Sequence, residues 1–458
     1  MARISEDNST VRRFEKSLST AQTLMPELLY DIFLHCVSRR TDWVDDWDPR
    51  RSLRCLSNAP LLLGRVCSSW RSASISSPGL WADLAVGDAN FSLVDFEKDF
   101  KGIQHWISKS GSRPLSILIY YPQYYSYGTL LSPILESLVS QSWRWEEITL
   151  TVPSEFENII FAPFRTGNLP QLVKFSSNIT GDGSAEIVLS SAPRLQSLQH
   201  YGEGAHIDFR GATHDIKWIE INHADDLDNW ISLTDLFTCF THCPMLENLN
   251  ILILREASLP DELPPTIKLP HLTHLLLLFS TGIDPGRLFD RLFLPMLISL
   301  ELFMKSDDIE YTDWPHIQTM LARSRPPLKT VRLDFVPITE ATLIGCLSFI
   351  PTLVSLEFEG VQCSDAILGS LIVDEADAGG SNNLCPWLER IDFGNNWHFS
   401  ERALIEMIVS RMKNANNTNG TRGRALTFIQ CPFAFRHIRS NPDISECLKD
   451  GLVLMGCD

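Results

Sequence analysis

The chain has 458 residues, of which 44% are hydrophobic and 21% charged, a balance typical of a folded protein. Its 39 Lys and Arg residues stand against 56 Asp and Glu residues, and the net charge of −17 argues against nucleic acid as a partner, because binding a phosphate backbone requires a basic face. No apolar run is as long as a membrane span and the first residues lack a signal-peptide pattern, so we expect an intracellular protein, cytoplasmic or nuclear, with no membrane partner.

The first predicted element is a short helix between Leu24 and Cys36, where apolar residues recur every three or four positions. Pro26 and Glu27 suit its first turn, because that turn has free backbone N–H groups and attracts negative charge. Residues 1–21 before it are expected to be flexible. The charged, Trp-rich residues 39–58 after it predict an exposed loop.

A second helical stretch follows this loop. Residues 60–64 predict a short helix that ends at Gly64, and the next residues predict another helix with Val66 and Trp70 on one side. Pro78-Gly79-Leu80-Trp81 closes the unit. Helices this short bury too little apolar surface to be stable alone, so another surface must cover their remaining face.

In order and spacing, these residues resemble the F-box, a three-helix module that tethers proteins to a Skp-family adaptor of cullin-RING ubiquitin ligases. The resemblance covers residues 22–84. It implies that the adaptor, and through it a cullin, is a partner. The residues that it implies for adaptor binding are Leu24, Pro26, Leu28, Leu29, Ile32, Phe33, Val66, Cys67, Trp70, Leu80 and Trp81.

The sequence departs from the F-box pattern at two places. One residue separates Leu24 from Pro26, which usually adjoin, and residues 38–59 form a long first connection, as in many fungal F-box proteins. A second interpretation also stays open, in which the apolar residues of this unit pack internally against the following domain.

Residues 85–458 carry an internal repeat, Pro-x-Leu-x-x-Leu, whose alternating apolar residues predict one short strand per copy. Eight copies begin at positions 170, 193, 244, 270, 295, 326, 351 and 386, and degenerate copies begin at 143 and 214. The spacing is about 27 residues on average, within the range of leucine-rich repeats. Helix-period segments such as 233–243 and 343–350 precede several of the prolines.

A unit this small cannot cover its own apolar face, so we expect the copies to stack into a solenoid with a curved parallel sheet and outer helices. Residues 143–430 resemble the divergent leucine-rich repeats that follow F-boxes in many eukaryotic proteins. The turn Asn of that family is present as Asn396 and is replaced in other copies, for example by Leu254 and Val361. Loops are expected near 374–383 and 414–424, and the clearest early strand is residues 114–120.

In such a solenoid, the residues between the buried strand leucines lie on the concave face. They are Glu220, Asn222, Asn250, Leu276, Glu301, Phe303, Arg332, Asp334, Glu357, Glu359 and Asp392. Six carboxylates here oppose one arginine. This pattern fits either a solvated face of an acidic protein or a surface that binds a basic segment of a target protein, with Phe303 and Leu276 as apolar anchors.

The sequence contains no nucleotide-binding, zinc-protease or serine-hydrolase motif, and we expect neither catalytic residues nor a cofactor. Eleven cysteines spread along the chain indicate free thiols. Cys239, His242 and Cys243 lack a second ligand pair, and His271 and His274 lack a carboxylate partner, so packing is favoured over metal binding.

These observations favour a non-enzymatic α/β protein in which a three-helix F-box precedes a leucine-rich-repeat solenoid. The resemblance implies that it selects a target for an SCF-type ubiquitin ligase. The alternative is a repeat scaffold for protein interactions that is not assembled into a ligase.

Overall fold

The fold is described from a computed structural model. The described residues are 24–37, 52–88, 95–122, 128–180, 185–202, 205–222, 231–255, 259–280, 282–304, 313–373, 383–395, 398–416, 424–430 and 438–455. The chain divides into two compact units, Met1–Ser116 and Ile117–Asp458. The predicted flexible segment 1–21, most of the predicted loop 39–58 and Asn396 lie outside the described residues.

The first unit contains three helices and a strand among its described residues. They are α1 (Pro26–Cys36), α2 (Ser68–Ile75), β1 (Asp83–Gly87) and α3 (Phe96–Ser110). Pro26 occupies the first turn of α1, and the Asp95 carboxylate accepts a hydrogen bond from the backbone N–H of Lys98 to cap α3. Both helix starts therefore follow from local chemistry.

The prediction of a short α-helix at residues 60–64 is wrong. A 3₁₀ turn at Leu63–Arg65 stands in its place, and a second 3₁₀ turn covers Pro78–Trp81. The backbone N–H groups of Leu62 and Gly64 bond carbonyls four residues back, but those of Arg65 and Val66 bond carbonyls only three residues back, so the α-helical pattern is not continued. The described residues between 24 and 88 therefore form two α-helices, where the sequence predicted three.

The first unit extends past the predicted module because α3 completes its core. The Trp81 and Trp106 rings meet edge to face with centroids 4.8 Å apart, and Ile103 of α3 is buried. The fully buried Asp99 carboxylate lies 2.9 Å from the Arg54 guanidinium. Residues after 84 thus contribute to the helical unit as well as to the repeats.

The second unit is dominated by strands. After β2 (Leu115–Tyr120), which spans the division between the units, the strands are β3 (Trp145–Pro153), β4 (Lys174–Thr180), β5 (Ala185–Val188), β6 (Ser197–Tyr201), β7 (Ala205–Asp208), β8 (Trp218–Asn222), β9 (Ile231–Ser232), β10 (Asn248–Arg255), β11 (Ile267–Lys268), β12 (His274–Phe279), β13 (Leu292–Phe293), β14 (Ser299–Met304), β15 (Thr330–Asp334), β16 (Ser355–Glu359), β17 (Arg390–Asp392), β18 (Phe428–Gln430) and β19 (Val453–Met455).

Helices lie between many of these strands. They are α4 (Ser132–Val139), α5 (Glu157–Ile160), α6 (Ala162–Thr166), α7 (Leu233–His242), α8 (Gly286–Phe289), α9 (His316–Ser324), α10 (Glu340–Leu347), α11 (Asp365–Ser370), α12 (Glu401–Asn416) and α13 (Pro442–Lys449). Ser232 and Asp235 form a reciprocal capping box at the start of α7. Over the described ranges, none of the helices combines the length and apolar character needed to cross a membrane.

One large sheet orders the strands of the second unit as β2-β3-β4-β6-β8-β10-β12-β14-β15-β16-β17-β18-β19, with β9 beside β10, and neighbours from β3 onward are parallel. Two small sheets, β5-β7 and β11-β13, supplement it. The fold is therefore a mixed α/β array with a large parallel sheet.

The strand register confirms the repeat. Equivalent apolar residues of successive copies are direct partners and form one buried row: Ile148, Phe175, Leu198, Ile219, Leu249, Leu275, Leu300, Val331, Leu356, Ile391, Ile429 and Leu454. The copies at 244, 270 and 295 lie side by side, and the last two residues of the row add strands beyond the copy at 386.

Carboxylates link the starts of successive helices in this part of the repeat array. Asp313 accepts hydrogen bonds from Thr339 N (3.0 Å) and Thr342 Oγ1 (2.8 Å) at the start of α10. Burial acts to raise the pKa of Asp313, but these hydrogen bonds lower it below its ordinary value.

The same link recurs in the next two copies. Glu340, the first residue of α10, accepts hydrogen bonds from Ser364 N (2.8 Å) and Ile367 N (3.0 Å), and Asp365, the first residue of α11, accepts one from Ser400 Oγ (2.9 Å) before α12. We call Asp313, Glu340 and Asp365 the carboxylate relay. It satisfies N–H groups at each helix start from the preceding repeat.

One of the two predicted loops is shorter than expected. Helix α12 continues to Asn416, so residues 414–416 are helical, and 417–423 lie outside the described residues. The last turns of α12 are held by the buried side chains of Arg411 and Met412. Of the other predicted loop, only Asn383 is described.

Arg411 is a buried cation that joins three backbone segments. Its Nε donates to the Leu371 carbonyl (2.8 Å), its Nη1 to that of Cys385 (3.0 Å) and its Nη2 to that of Leu384 (2.8 Å). Burial lowers the pKa of Arg411 to about 10, which leaves the side chain charged at neutral pH. The guanidinium thus ties α12 to the end of α11 and to the strand entry before β17.

Replacing Arg411 with Met should lower the free energy of unfolding by about 3 kcal/mol, because three buried carbonyls lose a charged donor. Urea denaturation followed by circular dichroism measures this change. Arg402→Met is the matched control, since Arg402 lies on the same helix and pairs only with Glu406 at the surface. Equal stability of the two variants would contradict the structural role of Arg411.

Candidate protein-interaction surfaces

Helix α1 has two apolar faces. Leu29 and Phe33 point into the first unit, where Leu29 is 2% exposed and the Phe33 and Trp70 rings meet with centroids 5.0 Å apart. Leu28 and Ile32 lie one helical turn apart on the adjacent face, about 100° around the helix from Leu29 and Phe33, and are 46% and 45% exposed. A surface helix normally has one apolar stripe, so the second face needs a cover.

More exposed apolar side chains belong to the same unit. Of the 15 large exposed apolar side chains in the described part of the chain, seven fall between residues 25 and 75. We call these seven the head apolar set: Met25, Leu28, Ile32, Leu56, Leu62, Val66 and Ile75. The first unit is therefore rich in uncovered apolar surface for its size.

The predicted adaptor residues divide between surface and interior. Pro26, Leu28, Ile32 and Val66 are exposed, and Leu24, Cys67 and Trp70 are partly exposed. Four of the residues predicted to contact the adaptor are buried inside the unit, and this part of the prediction is corrected: they are Leu29, Phe33, Leu80 and Trp81.

These buried residues have internal partners that explain their placement. Trp81 Nε1 donates to the Ser74 carbonyl (2.8 Å), which fixes the ring in the core. Cys67, in contrast, has a local role, because its sulfur accepts a hydrogen bond from Trp70 N (3.4 Å) at the start of α2.

In the second unit, the polar residues predicted for the concave face lie together on the sheet face opposite the buried row. Their register forms a middle row: Glu220, Asn250, Leu276, Glu301, Arg332, Glu357 and Asp392. Two residues further along, Phe303, Asp334 and Glu359 are neighbours in an outer row. On β8, Asn222 lies two residues after Glu220, the middle-row residue of that strand.

Arg332 does not neutralise this surface. Its Nη2 lies 2.9 Å from Asp334 Oδ2, and its guanidinium sits 4.8 Å from the centre of the Phe303 ring. The hydrogen bond to Asp334 raises the pKa of Arg332 above its ordinary value. Glu357 Oε2 also lies 3.9 Å from Arg332 Nε, but one cation cannot offset several carboxylates, so the surface keeps an excess of negative charge. We call the acidic patch Glu301, Asp334, Glu357, Glu359 and Asp392.

An apolar patch adjoins the acidic patch. Leu252, Leu278 and Phe303 are successive partners in the outer row, and Leu276 lies beside them in the middle row. All four side chains are partly exposed. Leu276 and Phe303 were predicted from the sequence, whereas Leu252 and Leu278 were not, although both lie in apolar runs, 251–254 and 275–279, that indicate such a patch.

Glu220 differs from the other acids because its oxygens are already engaged. It accepts hydrogen bonds from Gln199 Nε2 (3.1 Å), Trp218 Nε1 (3.2 Å) and Asn250 Nδ2 (3.2 Å), with Asn222 Nδ2 at 3.4 Å. A carboxylate offers about four lone-pair positions, and here the chain fills them. Glu220 therefore orders this end of the exposed face.

Cys239, His242 and Cys243 belong to the packing at the end of α7. The His242 ring stacks on Phe209 with centroids 5.2 Å apart, and both thiols are fully buried. Burial raises the pKa of Cys243 to about 12 and that of Cys239 well above its ordinary value. Both sulfurs are therefore thiols at neutral pH.

No protein-family model matches the chain, and no curated protein matches it significantly.

Thiol reactivity should separate buried from exposed cysteines. At pH 8, iodoacetamide should alkylate the exposed Cys36 of the folded protein and leave Cys239, Cys243 and Cys346 unmodified, because burial raises the pKa of each of these three thiols and blocks access. Peptide mass spectrometry measures the labelling, with urea-unfolded protein as the control. Rapid alkylation of Cys243 in the folded protein would contradict this placement.

Proposed function

We propose that this chain is a substrate-recognition adaptor of an SCF-type ubiquitin ligase. Its head would bind a Skp-family adaptor as an F-box does, and its repeats, resembling leucine-rich repeats, would hold a target protein. The order of the motifs between Leu24 and Trp81 supports the first half of this proposal. The single observation that carries it is the second apolar face of α1, formed by Leu28 and Ile32.

The physical basis is the free energy of covering that face. Burying apolar surface gains about 25 cal/mol per Å², and each large aliphatic side chain contributes about 2 kcal/mol when fully covered. The head apolar set provides seven such side chains. A partner surface that lies along α1 could cover Leu28 and Ile32 without rearranging Leu29 and Phe33, which are already buried.

The repeats would supply target recognition. The acidic patch beside the apolar patch suits a target segment that carries apolar side chains followed by basic ones, because electrostatic complementarity fixes partner choice and apolar anchors add affinity. The register favours this interpretation over a merely solvated acidic face, because it places an apolar patch next to the carboxylates.

In this proposal the chain contributes proximity and no chemistry of its own. Holding a target near the ligase converts an encounter between two molecules into a reaction within one assembly. A cytoplasmic or nuclear location belongs to the same proposal. The alternative function is a protein-interaction scaffold outside any ligase, in which the repeats act alike and the head has no Skp-family partner.

The double variant Leu28→Asp, Ile32→Asp should weaken binding to a recombinant Skp-family adaptor by about 100-fold, because two apolar anchors become charged. Isothermal titration calorimetry with the full chain measures this affinity. Leu130→Asp, Met296→Asp is the matched control, since both residues are exposed apolar side chains of the second unit. If the unaltered chain binds no adaptor, the scaffold alternative is favoured.

A second experiment concerns the target. Proteins retained by the full chain at low salt are identified by mass spectrometry, and the affinity of the main one is measured. Glu357→Lys, Glu359→Lys should weaken this affinity about tenfold and flatten its salt dependence, because the acidic patch loses its charge. Glu262→Lys, Glu446→Lys reverses two exposed charges elsewhere and should leave it unchanged. An equal response of both variants would contradict recognition by the acidic patch.

A further inference from the structure

A cavity of about 540 Å³ lies at the edge of the sheet where strands β15, β16 and β17 begin. Its volume falls within the range of small-molecule sites, about 300–1,000 Å³. Its lining comes from three successive repeats and the segment before β18: Lys329, Thr330, Thr352, Val354, Trp387 and Arg424. It is distinct from the acidic and apolar patches.

The charge of this cavity is opposite to that of the protein as a whole. Lys329 and Arg424 are its ionisable lining residues, although the chain carries a net charge of −17. Arg424 Nη1 forms an ion pair with the Glu389 carboxylate, which neutralises the positive charge of Arg424. Lys329 forms no ion pair with any residue that the structure describes, so its ammonium is the net charge that the cavity offers.

Trp387 contributes an apolar ring and one N–H donor to the lining of the cavity. Trp387 is 39% exposed, and Val354 lines the same space. The indole Nε1–H has no acceptor among the described residues. The lining of the cavity thus includes two kinds of N–H donor, the Lys329 ammonium and the Trp387 indole, and one flat apolar surface.

We propose that this cavity binds a small aromatic carboxylate. One carboxylate bears one negative charge and two acceptor oxygens, which match the single uncompensated ammonium of Lys329 and the indole N–H of Trp387. The ring of the ligand lies against Trp387 and Val354. A phosphate dianion fits less well, because the second cation of the cavity is already paired with Glu389.

The test uses 2-naphthoate and its uncharged analogue 2-naphthamide as probes of the full chain. The chain has 12 tryptophans, so 5-fluorotryptophan labelling gives a set of ¹⁹F resonances, and the one that Trp387→Phe removes belongs to Trp387. We expect a saturable shift of that resonance with 2-naphthoate and a weaker response to 2-naphthamide.

Lys329→Gln should weaken 2-naphthoate binding about fivefold and leave 2-naphthamide unaffected, because it removes the ion pair alone. Lys449→Gln removes an exposed lysine of α13 and serves as the matched control. The proposal is overturned if the Trp387 resonance does not move, if both probes bind equally, or if Lys329→Gln and Lys449→Gln have the same effect. None of these outcomes depends on binding to an adaptor or to a target protein.

Discussion

The repeats of the second unit depend on mutual coverage, because no single copy can bury its own apolar residues. Each strand places one to three apolar side chains on the inner face of the sheet, and these are covered only when the next copy lies beside them in register. The partnered series from Leu249 through Leu275 and Leu300 to Val331 shows how strictly the register is kept. A slip of one residue would bring the apolar side chains of a strand to the exposed face.

The carboxylate relay gives the array a second kind of continuity on its helical side. Asp313, Glu340 and Asp365 each stand at or before the start of one helix and bond the start of the following helix. The helix N-terminus therefore receives its hydrogen-bond acceptor from the preceding repeat.

The repeat phase and the residues of the exposed face could be predicted from sequence because both depend on local patterns. Pro-x-Leu-x-x-Leu marks where a strand begins, and alternation assigns Arg332 and Glu357 to one face. The burial of Leu29 against the exposure of Leu28 could not be predicted, since both residues belong to equally apolar series along α1. The cavity was also beyond prediction, because Lys329, Val354 and Trp387 meet only through the stacking of three copies.

Regular register also explains how one array carries surfaces of opposite character. The inner positions are constrained to apolar residues by packing, whereas the exposed positions are constrained only to strand geometry. Leu278, Phe303 and Asp334 are consecutive partners in the same row, yet the row changes from apolar to acidic within one strand spacing, about 4.8 Å. Because Arg332 lies across Phe303 while bonding Asp334, this boundary is fixed by contacts within the protein. A ligand that crosses the strands would therefore contact a preformed boundary between apolar and acidic surface. Binding would then cost little conformational entropy for these side chains, because they are already ordered.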